Sequence, residues 1–240
     1  MGQYYTPIIL SANGGKTVGS FYSHDYDNGL KLMEHSYLGN DLVDSVVAKA
    51  LSVPGAVTIA WLGDYAELNE DVLPLAEHRA FDPAKNVGKI HRDYVRMFDR
   101  LKRVEDGRLY LIKPDNESVK EFLPDSEGVT IYDFLTRQKL SLQAYRKNVL
   151  AMREANGFDP KKMDYEIDEL IVHPLPLLTS IGNGKGGGDY FGTCAEWVGA
   201  WAMHPLAFIP QNSGLPEPEG EWEDVSEKIL FEEAREWVKI

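Results

Sequence analysis

The sequence predicts an α+β protein built on an antiparallel β-sheet flanked by helices. Two observations carry this reading. Short apolar runs of strand length near the N-terminus are divided by Asn-Gly and Gly-Gly turns, and two later segments repeat apolar residues at helical spacing behind a capping side chain. The chain shows no exact internal repeat and no convincing domain boundary, so residues 1–240 read as one globular domain.

The elements follow in order. Residues Gln3 to Leu10 read as a first strand, and Asn13-Gly14-Gly15 as a turn. "KTVGSFYSHDYD" reads as a second strand, and "LKLMEHSY" as a third across an Asn28-Gly29 hairpin, because a two-residue turn needs positive φ at both centres. The result is an N-terminal three-stranded meander. Its register places Tyr22, His24, Tyr26, Lys31, Met33 and His35 on one face. Asp25, Leu30, Leu32 and Glu34 take the other.

Asn40 caps a helix whose apolar stripe runs from Leu42 to Leu51, with Pro54-Gly55 as its stop. "AVTIAWLGDYAE" is a buried strand ending in a turn at Gly63-Asp64-Tyr65. Residues 91–103 have helical spacing, with Arg92, Arg96, Arg100 and Arg103 forming a basic stripe that reads as a solvated face. Residues 108–113 are strand-like, and 141–157 form a helix between Ser141 as cap and Gly157 as stop. "HPLPLLTS" holds two prolines and reads as an edge strand or extended segment. Residues 197–210 resemble a strand broken at Pro205. A Pro/Gly-rich linker, 211–224, leads to an acidic C-terminal helix, 226–239, capped by Ser226.

Composition narrows the function classes. Net charge is −13, with nine acids against three bases in residues 217–240. That balance argues against direct nucleic-acid binding, which depends on Lys and Arg neutralising phosphates, and suits docking to a basic protein partner. No apolar run approaches the roughly 20 residues of a membrane span. The N-terminus lacks a secretory pattern, and Cys194 is the only cysteine, so a reducing cytoplasm is the simplest compartment. The start also matches the short myristoylation pattern, but the strand reading accounts for it.

Several motifs fail on context. "NGGKT" has Leu10 where a P-loop requires glycine, and no helix follows. Gly182-x-Gly184-x-x-Gly187 has the spacing of a dinucleotide fingerprint without its strand and helix. His24 and His35 make an incomplete zinc site that would need an acid such as Asp64 or Asp189, so no metal is assigned. Cys194 reads as a small buried apolar residue.

What remains is "TSIGNGKGGGDYFG", residues 179–192, with six glycines in fourteen positions. Such a tract is either a long hairpin loop or a ligand contact. Consecutive amides with no Cβ can cradle an anion, and Lys185 adds charge. On the ligand reading, Gly182, Asn183, Gly184, Lys185, Gly186, Gly187, Gly188, Asp189 and Tyr190, together with Asp64, bind a small nucleotide- or phosphate-like anion. His24 or His35 would then be the acid–base group of any hydrolytic step, since histidine titrates near neutrality. The alternative is an acidic, non-enzymatic binding or inhibitory protein, such as a phage anti-defence factor, acting on a basic partner.

"MGQYY", "SHDYDNGLKLMEHSYLGN", "WLGDYAE" and "GNGKGGGDYFG…WVGAWA" together resemble a family of uncharacterised bacterial and phage proteins. Those open with MG-x-YY and carry a G-x-KLME segment, a V-x-GDYA strand end and a GNG-[RK]-GGGD loop. The resemblance covers residues 1–66 and 173–202 with gaps, and "WAMHPLAF" departs from the family's "WAGD". It implies a bacterial or phage cytoplasmic origin and marks the loop and hairpin as family features. It implies no particular activity, cofactor or partner.

Overall fold

The computed structural model describes residues 3–11, 16–67, 75, 100–103, 109–112, 119–123, 128–157, 171–182, 190–211 and 213–232. Eleven strands and three α-helices fall within them, in an α+β arrangement. The strands are β1 (Tyr5–Ser11), β2 (Thr17–Ser20), β3 (Val57–Gly63), β4 (Arg100–Arg103), β5 (Leu109–Ile112), β6 (Val119–Leu123), β7 (Val129–Asp133), β8 (Gln138–Ser141), β9 (Ser180–Ile181), β10 (Pro205–Pro210) and β11 (Glu223–Asp224). The helices are α1 (Asp41–Ser52), α2 (Leu142–Ala155) and α3 (Pro174–Leu178).

Eight strands form one mixed sheet in the order β11-β8-β7-β10-β3-β1-β2, with β9 also on β3. Pairing is antiparallel except for β11 with β8 and β9 with β3. A separate antiparallel sheet runs β4-β5-β6. Period-2 alternation divides the main sheet. Tyr5, Ile9, Ile59, Trp61, Ile131, Leu140 and Leu206 share one face and join the larger core with the apolar sides of α1, α2 and α3. Ile8, Leu10, Ala60 and Leu62 on the opposite face form a smaller cluster with Ala66 and Leu75.

Several expected elements are present. Asn40 Oδ1 accepts from the amides of Leu42 and Val43 (3.0 and 3.4 Å) and caps α1. Ser141 Oγ accepts from Ala144 N (3.2 Å) and caps α2. The strands at 57–63 and 109–112 and the turn at Asp64-Tyr65 also stand where the sequence puts them. Residues 12–15 lie outside the described residues, while Ser11 N donates to Lys16 O across them (2.9 Å).

Other expectations are corrected. The third strand of the meander is absent: Ser23–Tyr26 and Leu32–Glu34 are single 3-10 turns. The left-handed residue is Asp27 (φ 57°), not the Asn28-Gly29 pair. Asn28 instead exchanges side-chain hydrogen bonds with Asn40 (2.9 and 3.3 Å), which ties it to the α1 cap. Glu34 Oε2 accepts from Lys31 N (3.0 Å) and Ser36 Oγ donates to Leu32 O (2.6 Å), closing local turns instead of a ladder.

Residues 174–178 are helical, not extended. Pro174 occupies the first turn, where its missing N–H is not needed, and His173 Nδ1 caps Leu175 N (3.1 Å). Pro205 opens β10, a position where proline is tolerated, and turns occupy 198–203. Arg100–Arg103 form a strand, and residues 91–99 of the expected helix lie outside the described residues.

The segment read as a linker is packed. Trp222 stands edge-on to Tyr132 and Phe134 (5.1 and 5.4 Å between ring centroids), with the Arg137 guanidinium 5.3 Å above it. Glu217 reaches Lys139 at 3.4 Å. Burial, with the Glu217 carboxylate beside it, pushes the Tyr132 phenol up to about 12. Ser226 starts no helix within the described residues. Its hydroxyl accepts from Ser141 N (2.9 Å), and after one turn Ile229 and Phe231 enter the core. Residues 233–240 lie outside the described residues.

Candidate functional site

The glycine tract is held at both ends. Its entry strand, β9, runs parallel to β3 with Trp61 opposite Ser180 and Leu62 opposite Ile181. One residue further on each strand stand Gly63 and Gly182, and Gly182 is buried. On the far side of β3, Tyr5 of β1 lies opposite Gly63. The tract therefore leaves the sheet at the carboxyl end of two parallel strands, at a row that runs Tyr5, Gly63, Gly182.

Its exit is fixed differently. Tyr190 packs edge-on against Phe231, 5.5 Å between centroids. Its hydroxyl lies 2.6 Å from Thr193 O and 2.9 Å from Glu232 O, and burial pushes the phenol well up, so it stays protonated as a donor. Thr193 N donates to Glu232 O (2.9 Å), and Glu232 N to Thr193 Oγ (3.0 Å). A Cβ at Gly192 would overlap the Glu232 carbonyl, which explains glycine there. Glu232 is gripped by Arg153 through two 2.8 Å contacts in a buried bidentate pair. Asn183, Gly184, Lys185, Gly186, Gly187, Gly188 and Asp189 lie outside the described residues.

The structure brings Asp64 to the tract's entry. Asp64 follows Gly63, its Oδ1 accepts from Tyr4 N (3.0 Å), and its own N donates to Tyr4 O (2.9 Å). The two histidines go to different places. His24 is exposed, with Nδ1 3.0 Å from Asn28 O. His35 is fully buried, accepting from Trp61 Nε1 (2.9 Å) at Nε2, so Nδ1 carries the proton and donates to Gly29 O (3.3 Å). Burial lowers its pKa to about 4. A shared imidazole face therefore does not form, because no strand pair spans 22–35. His35 is locked as a neutral bridge in the core.

Two groups escaped sequence reasoning. Gln3, only 4% exposed, lies over Gly63: a Cβ there would stand 2.6 Å from Gln3 Cδ and Nε2. Tyr5 Oη donates to Gln3 Oε1 (2.7 Å). The signal was available in strand alternation, which puts Gln3 on the same face as Tyr5 and Ile9. The second group is a His–Asp pair. His204 Nδ1 donates to Asp133 Oδ2 (2.8 Å), and the fully buried Asp133 also accepts from Leu135 N and Thr136 Oγ (2.9 and 2.7 Å). The Pro205–Thr58 pairing sets this dyad near the start of β3, while the tract leaves at its end. Five residues separate those points, about 16 Å at the rise of a strand. The dyad orients an imidazole as a general base would be oriented, but no nucleophile adjoins it among the described contacts.

Among the described residues, no three His, Cys, Asp or Glu side chains come together to hold a metal ion. None of their helices is long and apolar enough to cross a membrane. No known protein family, curated protein or solved structure matches this chain.

Proposed function

We propose that this protein binds a small anionic ligand, nucleotide- or phosphate-like, where the glycine tract leaves the sheet. The observation that carries the reading is the anchoring of the tract. Its entry lies at the carboxyl ends of two parallel strands beside Gly63, and its exit is pinned by Tyr190 and Gly192 to residues 230–232. Crevices at the carboxyl ends of parallel strands are common ligand positions. Between those anchors, Lys185 and the amides of Gly184, Gly186, Gly187 and Gly188 supply the positive groups. Asp64 already accepts from Tyr4 N, which offsets part of its charge near an anion. If hydrolysis accompanies binding, His24 is the solvent-facing imidazole, since His35 is held neutral in the core. The motif resemblance supports a bacterial or phage origin for such a ligand-binding protein.

Thermal melting with inorganic phosphate, pyrophosphate and ADP tests this. Ligand at about 100 times Kd stabilises by about 2.7 kcal/mol, a shift of several degrees. That shift should vanish in Lys185→Ala. The second reading, docking to a basic protein, gains support from the packed 213–224 segment, which leaves Glu219, Glu221 and Asp224 exposed on its surface. No shift with any of the three anions, beside salt-sensitive capture of a basic partner, would favour it.

A further inference from the structure

We infer that His204 is a nucleophilic histidine whose Nε2 accepts an acyl group from an uncharged, activated donor such as an aryl ester or a thioester. The site is separate from the glycine tract and does not rest on the anion-binding reading. His204 Nδ1 donates to Asp133 Oδ2 (2.8 Å), which sets the tautomer and leaves the free lone pair on Nε2. Asp133 is fully buried and also accepts from Leu135 N (2.9 Å) and Thr136 Oγ (2.7 Å), so its carboxylate is held in place. The His204 side chain is 21% exposed, and with Nδ1 against the buried carboxylate the open edge of the ring is the one that bears Nε2. The backbone holds both partners: His204 N donates to Trp201 O, and Phe134 N to Pro205 O (both 3.1 Å). Met203, just before His204, and Arg137, in the turn after Asp133, both take left-handed backbone (φ 63° and 60°), a strain that collects at functional sites. No hydroxyl or thiol adjoins Nε2 among the described contacts, so the imidazole itself is the nucleophile. Nε2 attacks the carbonyl carbon, a C–N bond forms, and the C–O or C–S bond breaks as the leaving group departs with its electron pair. The positive charge left on the ring is shared through Nδ1–H with Asp133. Water then adds to the acyl carbon, frees Nε2 and releases the carboxylic acid, and its other proton goes to the leaving group. An uncharged donor suits the surroundings: the chain carries −13, and Gln138, opposite Asp133 across β7–β8, already donates to the Glu223 carboxylate (3.2 Å).

Diethyl pyrocarbonate, an uncharged acyl donor, tests this on the full-length protein, with His24 as the internal standard. His24 is the more exposed of the two, but its Nδ1 faces a backbone carbonyl, Asn28 O (3.0 Å), in place of a carboxylate. Peptide mass mapping over time gives an acylation rate for each histidine. His204 should react about tenfold faster than His24, the low end of what one hydrogen bond to a charged group contributes. Asp133→Asn should bring His204 down to the rate of His24 or below and leave His24 unchanged, whereas a loosened fold would raise both rates. The second arm is p-nitrophenyl acetate. His204→Gln, which retains an N–H for Asp133, should lose most of the protein-dependent release of p-nitrophenolate, and His24→Gln should lose little. Circular dichroism and melting establish that each variant is folded, and this second arm decides if Asp133→Asn is not. Acylation of His204 no faster than His24, or release of p-nitrophenolate unchanged in His204→Gln, would overturn the proposal.

Discussion

Lowering the pH should destabilise this protein through two buried histidines, and the size of the effect can be worked out. Burial lowers His35 to about 4 and His173 to about 3, both far below the ordinary 6.5. His35 is held neutral by donating to Gly29 O and accepting from Trp61, and His173 by accepting the Leu175 amide at Nδ1. Both are depressed in the folded state, so the unfolded chain takes up protons first. Stability is therefore complete above pH 6.5 and is lost as pH falls from 6.5 towards 4 and 3. At pH 5.0 the unfolded state gains RT ln(1 + 10^1.5), about 2 kcal/mol per histidine, and protonation of the native state offsets only about 0.1 kcal/mol. The pair thus costs about 4 kcal/mol between pH 7.5 and 5.0, roughly 8–16 °C in Tm for a domain of this size. Urea denaturation at the two pH values measures it. His35→Gln retains an acceptor for Trp61, and His173→Asn retains a capping oxygen for Leu175. Other titrating groups act alike in variant and wild type, so each variant should lose about 2 kcal/mol less than wild type on acidification. An acid loss of equal size in wild type and both variants would refute the reasoning.

Two further outcomes concern the exit of the glycine tract. Arg153→Met should destabilise by about 3–5 kcal/mol in urea unfolding, because it strips the buried Glu232 carboxylate of its guanidinium; Arg153→Met with Glu232→Leu should recover most of that. Gly192→Ala should cost about 1–3 kcal/mol, since the new methyl meets the Glu232 carbonyl and the Tyr190 hydroxyl; a neutral result would mean that this close approach does not hold the tract's exit.

Local chemistry made part of the fold legible and long-range pairing hid the rest. The Asn40 and Ser141 caps were readable because a cap is a contact between residues two or three apart. The Asn28-Gly29 hairpin fails to form for the same reason in reverse. The local signal was strong, but Asn28 is claimed by Asn40, twelve residues on, and the left-handed conformation falls one residue earlier, at Asp27. Ser226 shows the same competition: a good capping residue by type, it is occupied by Ser141 N across 85 residues. Trp222 turns a proline- and glycine-rich stretch into packed structure because its ring finds Tyr132 and Phe134 on a distant hairpin.

The candidate site divides along the same line. The glycine tract announced itself by composition, because bare backbone has few uses. The strand pairing at its entry did not, since Gly63 and Gly182 stand 119 positions apart in the chain and become neighbours only through the parallel β3–β9 register. Gln3 looks like an ordinary polar residue at a strand start. Its carboxamide packs on Gly63 and meets the Tyr5 hydroxyl, contacts that its place in the sequence does not show. The dyad of Asp133 and His204 has more obvious chemistry than a carboxamide, yet the register puts it near the opposite end of β3, away from both anchors of the tract. Position in the sheet therefore decides: a group can serve the glycine tract only from the end of β3 where the tract leaves, and Asp64 is there while the dyad is not.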